Sequence, residues 1–123
     1  MSYLLDTDIC IYWLKNREPF RTKVFQIGWQ YIAISQITVA ELYYGAYNSN
    51  PDHVESNLER VEGFIKSIEV LQLNQSVLHE FGQLKSWLRK QGRVVADFDL
   101  LIASIVHKFS SSYKMVAFRT YAP

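Results

Sequence analysis

Three brief apolar runs limit what this chain can fold into: residues 3–5, residues 31–34 (YIAI) and residues 68–73 (IEVLQL). Each is too short for a helix, rich in large or β-branched side chains and bounded by polar residues, the pattern of a buried strand. The stretches between them carry helical periodicity. Asn50 and Pro51 supply an N-cap and a proline at the first helical position, and Val54, Leu58, Val61, Ile65 and Ile68 follow at three- and four-residue spacing. A second helix is expected over residues 75–91, with Val77, Phe81, Leu84 and Leu88 on one face and Gly92 just past its end. Short apolar strands alternating with amphipathic helices predict an α/β fold whose central, mostly parallel sheet is covered on both faces.

The chain of 123 residues is long enough to bury one core, so a single domain over residues 1–123 is expected. Cys10 is the only cysteine, which rules out an intramolecular disulfide and a cysteine-rich zinc site. No basic leader precedes a long apolar core, and no apolar run approaches the roughly 18 residues of a membrane span, so a cytoplasmic protein is expected. A net charge of +1 conceals two basic clusters, Lys15, Arg17, Arg21 and Lys23, then Lys85, Arg89, Lys90 and Arg93. Such clusters suit a polyanion, and solvated helix faces have the same look.

Carboxylates stand at the junctions. Asp6 and Asp8 follow the first apolar run directly, before DICIYWL opens a helix. In open α/β sheets, ligands bind beyond the carboxyl ends of the strands, where Asp6 is expected. Either acid also serves as a helix N-cap. Glu41 follows the second strand; with residues 36–47 helical it shares a stripe with Ile37 and Tyr44, unless Thr38 and Glu41 form a T-x-x-E capping box. Asp99 is expected on the inward stripe of the last helix with Ile102, Ala103 and Val106, and Asp97 fits an N-cap. A cap uses one acid of each pair. Three acids at junctions or on apolar faces predict an oxygen-ligand cation site, best suited to Mg²⁺ or Mn²⁺. Neither a phosphate-binding glycine loop nor a nucleophile elbow is present, and His53, His79 and His107 lack metal-ligand spacing.

The segments LLDTDICIYWLK, ISQITVAELYYGA and GRVVADFDLLIAS, in that order, resemble the PIN-domain ribonucleases of the VapC toxin type over about residues 2–107. The resemblance implies acids gathered at the carboxyl ends of a parallel sheet, an Mg²⁺ or Mn²⁺ cofactor, and hydrolysis of RNA phosphodiester bonds. Carried onto this chain, it makes Asp6 and Asp99 the principal metal ligands, with Glu41 holding the metal directly or through a water. Thr7 and Ser35 become supporting hydroxyls. It further implies a cognate VapB-like antitoxin, inserted into an apolar groove near the site, and a homodimer. Tyr12, Trp13, Tyr43, Tyr44 and Tyr47 would line that groove or a dimer surface, although core packing accounts for several of them equally well.

The chain departs from the family after its last helix. Residues 113–118 are expected to close the sheet, but from Leu100 to Pro123 there is no Asp, Glu or Asn to supply the family's fourth polar group. Residues 108–123 thus form a divergent tail, of the kind a shifted reading frame near Lys108 to Ser112 or decay of a toxin produces. That departure motivates a second reading, a catalytically impaired PIN-fold module that binds antitoxin or RNA without cleavage. A phosphatase using LLDTD as an aspartate nucleophile is a third, for which the chain is short.

Overall fold

A computed structural model describes residues 2–16, 18, 20–109 and 112–116. The elements run β1 (Ser2–Leu5), α1 (Thr7–Leu14), α2 (Phe20–Ile27), β2 (Ile32–Ser35), α3 (Gln36–Tyr47), α4 (Val54–Lys66), β3 (Glu69–Leu71), α5 (Gln75–Lys90), α6 (Asp97–Lys108) and β4 (Tyr113–Val116). The strands form one sheet in the order β3-β2-β1-β4, and every pairing in it is parallel. The expected α/β class and sheet are therefore present. The third strand is shorter than the apolar run predicted, and 117 and 118 of the closing strand lie outside the described residues.

Pleating sorts the apolar residues to two faces. On one, Leu5, Ile32 and Ile34 pack with Ile9, Cys10, Val24, Leu42, Ala46, Val61, Phe64 and Ile68. On the other, Leu4 and Ala33 meet Ile37, Leu71, Val77 and Ile105. All four residues of β2 are buried, as the central position of a covered parallel strand requires. Tyr113 joins the two edge strands by donating its hydroxyl to Glu69 Oε1 at 2.7 Å. Desolvation, and then that carboxylate, push the Tyr113 hydroxyl up to about 12.

Helix ends follow the local signals closely. Asn50 accepts from the Asp52 amide, but the turn it caps is a 3₁₀ turn (Pro51–His53) that leads into α4, so Ile68 lies beyond the helix while still packing in the core. At the end of α5, the Gly92 amide donates to Arg89 and the Arg93 amide to Leu88, both at 3.0 Å, the double closure of a Schellman motif. Gly92 holds φ +70° with open space where a Cβ would stand. Gly92→Ala therefore meets only backbone strain and is expected to cost about 1 kcal/mol, read as a lowered urea midpoint with an unchanged m-value.

Candidate active site at the carboxyl edge of the sheet

Chain order places three helix starts at one end of the sheet. α1 follows β1 after a single residue, α3 follows β2 directly, and α6 leads back into parallel β4, so its own start lies at the same edge. The chain runs outward from β1 through β2 to β3 and then crosses to β4 on the other side of β1. This is a topological switch point, where ligands of open α/β sheets bind. Asp6 follows β1 as the cap of α1, and Asp99 lies in the first turn of the helix feeding β4.

Asp6 is half-buried and caps α1 through Oδ1, which accepts from the Ile9 amide at 3.0 Å. Capping does not exhaust a carboxylate, which offers about four acceptor positions. Burial first, and then the Asp6 charge, push the Cys10 thiol well above its ordinary value. Cys10 is fully buried and serves as a small core residue.

Thr7 links the first two acids. Its hydroxyl lies 2.5 Å from Glu41 Oε1, as donor, and 3.3 Å from Thr38 Oγ1. Glu41 thus comes from mid-α3 to the residue after Asp6. The capping-box alternative for Glu41 is overturned, because α3 is capped by Ser35, whose Oγ accepts from the Thr38 amide at 3.2 Å. The helix begins three residues earlier than that motif would require. The inward stripe of α3 is Ile37, Thr38, Leu42 and Ala46, with Glu41 at its margin and Tyr44 exposed, contrary to the shared stripe expected.

The last helix also departs from expectation. Ala96 occupies the cap position without a side-chain bond; Asp97 is the first helical residue and pairs with Lys85 Nζ at 2.9 Å. The inward residues are Leu100, Ser104 and Ile105, which leaves Asp99 exposed. The predicted stripe of Asp99, Ile102, Ala103 and Val106 is therefore not the buried one, and Ile102 and Val106 pack only at the edge of the core. Among the described residues, no three His, Cys, Asp or Glu side chains form a group able to hold a metal. The donors at this edge, Asp6, Thr7, Ser35, Glu41 and Asp99, are nonetheless all oxygen. That is the chemistry of a hard cation, and Mg²⁺ needs only one or two carboxylates when waters and a substrate phosphate complete its shell.

Beside Glu41 opens a groove of about 360 Å³ between α1, α3 and α4. Ile11, Leu14 and Leu42 give it apolar walls, Gly45 and Ala46 give it depth, and Arg60 stands at its border. None of the five aromatic residues expected at a groove or a dimer surface lines this groove. Tyr12, Trp13 and Tyr43 pack against the core, whereas Tyr44 and Tyr47 are exposed. The contribution of Gly45 and Ala46 was hidden in sequence, because small residues read as helix packing until the neighbouring helix is in place. In the first basic cluster, Arg21 lies over the Trp13 ring and donates to Asn16, and Arg17 lies outside the described residues.

A PIN-domain family model matches residues 3–112. The chain is 37% identical over 103 residues to the tRNA(fMet)-specific endonuclease VapC of Shigella flexneri, covering 84% of this chain and 76% of that protein. It is 36% identical over 104 residues to ribonuclease VapC2 of Haemophilus influenzae, covering 85% and 77%. A solved structure, DNA-bound VapBC from Salmonella typhimurium, superposes with a TM-score of 0.80 at 33% identity over 98% of this chain and 89% of that one. The parallel sheet, with its acids at a switch point, is that of a PIN domain. The chain belongs to the VapC-type branch of that family.

Proposed function

We propose that this protein is the endoribonuclease toxin of a toxin–antitoxin pair and cuts RNA with the help of a divalent cation, Mg²⁺ or Mn²⁺. The observation that carries the reading is the Thr7–Glu41 hydrogen bond, which draws a carboxylate from α3 to the residue following Asp6 in a chain of this family. Asp6 and Asp99 would be the principal ligands, with Glu41 holding the cation directly or through water. When bound, the cation lowers the pKa of a water and stabilises charge developing on the phosphate. The chain itself fixes Asp6 by the cap on α1, orients Glu41 through Thr7, and supplies the Ser35 hydroxyl that starts α3.

The groove beside Glu41 is the place for an antitoxin segment, and a bound segment there would restrain the toxin by covering the site. A VapB-like antitoxin is thus the expected protein partner, and a homodimer is part of the same reading. No helix among the described residues is long and apolar enough to cross a membrane. Action on RNA in the cytoplasm completes the assignment. Two observations favour the impaired binding module: the acid-free sequence from Leu100 to Pro123, and the absence of a three-acid group among the described residues.

Cleavage of a structured RNA pool in Mg²⁺, Mn²⁺ and EDTA separates the two readings. The nuclease reading expects discrete products with either metal and none in EDTA; intact RNA under all three conditions, from folded protein, supports the binding module. Thr7→Val keeps the side chain's shape but removes the donor to Glu41. Cleavage is expected to fall about 10- to 100-fold, the range for outer-shell partners of metal sites. Thr7→Ser should restore most of it.

A further inference from the structure

The second basic cluster surrounds a cavity of about 350 Å³ between the last turns of α5 and the first turn of α6. Lys85, Arg89 and Arg93 supply cations to its wall, and Leu88, Val94 and Val95 supply an apolar lining. Among the described residues no carboxylate lines it. Lys85 is engaged with Asp97, whereas Arg89 and Arg93 have no carboxylate partner among the described residues. Val94 is 95% exposed and stands at the rim, where its side chain is open to a ligand. Leu100 completes the lining at the start of α6, the helix whose first turn also carries the candidate ligand Asp99.

An apolar lining beside guanidinium groups matches a ligand with a flat, weakly polar part and an anionic part. The volume lies in the range of small-ligand sites. We propose that this cavity receives one unpaired nucleotide of the substrate RNA, next to the bond that is cut. The base packs on Leu88, Val94 and Val95, while Arg89 and Arg93 take its phosphates, for which a guanidinium fork is suited. The Lys85–Asp97 pair bridges α5 and α6 beside the opening. The inference rests on the nuclease reading, which supplies RNA as the polyanion.

Fluorescence anisotropy with an unstructured, end-labelled RNA of ten nucleotides in EDTA tests it without cleavage. An Arg89→Ala/Arg93→Ala variant of the full chain is expected to bind at least about 10-fold more weakly. Its slope of log affinity against log salt should be shallower by about 1.4, roughly 0.7 for each single-strand phosphate that is no longer neutralised. Val94→Asp, which places an anion at the rim, should also weaken binding. Circular dichroism checks that both variants fold. Unchanged affinity and salt slope in the double variant would overturn the proposal, as would normal RNA binding coupled to loss of a protein partner, which would make the cavity a protein-docking site. If wild type cuts RNA while the variants bind and cut like it, the subsite fails and the nuclease stands. If wild type binds RNA through these arginines and never cuts, the nucleotide site stands and the nuclease fails.

Discussion

Asp6→Asn is expected to lower RNA cleavage by at least about 100-fold, a loss that outer-shell partners of metal sites alone can reach, while leaving the melting temperature almost unchanged. Asp6 has two tasks that this substitution separates. Its Oδ1 caps α1 by accepting from the Ile9 amide, and asparagine caps a helix about as well as aspartate. The negative charge that would hold a cation is lost, and an amide oxygen replaces it only weakly. Asp6→Ala removes both functions. It should abolish cleavage equally and also cost about 1 kcal/mol of stability, or roughly 3–5 °C in a domain of this size. Kinetics and thermal melts on the two variants check the difference. Loss of activity confined to Asp6→Ala would mean that the cap, and not the charge, matters.

Ile105→Ala should destabilise the protein by about 2–5 kcal/mol, the usual cost of emptying a buried aliphatic site. Ile105 is 0% exposed and packs in the cluster formed by Leu4, Ala33, Ile37, Leu71 and Val77. It is the most deeply buried apolar side chain of α6, about 1.7 turns from Asp99. The void cannot close easily, because strands β1 and β2 form its floor. Urea unfolding should show the fall in midpoint, and cleavage at low temperature should survive in the fraction that remains folded. A change below about 0.5 kcal/mol, the scale of surface substitutions, would show that α6 is held in another way.

The sheet was legible in sequence because its strands are apolar and short, and β2, buried along its whole length, shows this most clearly. Gly92 marks the end of α5 by local chemistry, as a left-handed C′ residue, whereas the side-chain cap at its start, Asn74, comes from the structure. Asp97 was misplaced for an equally local reason. In DFDLLIAS an N-cap at Asp97 and a helix beginning there differ by one residue, and it is the extended backbone of Ala96, at ψ 139°, that makes Ala96 the cap and Asp97 the first helical residue. Asp99 faces the surface because Leu100, Ser104 and Ile105 form the side of α6 that is buried, which the alternation of apolar residues in this segment did not single out. The Thr7–Glu41 hydrogen bond spans 34 positions and has no local signature, so Glu41 remained open between a capping box and the site until α1 and α3 were placed together.

Mn²⁺ titration of the wild type by calorimetry, beside Asp6→Asn, Glu41→Gln and Asp99→Asn, tests most directly whether these acids act as one metal site. One Mn²⁺ per chain is predicted for wild type, with affinity reduced at least about 10-fold by Asp6→Asn and by Asp99→Asn and less by Glu41→Gln. Indistinguishable isotherms for wild type and all three variants, each shown to be folded, would contradict the account.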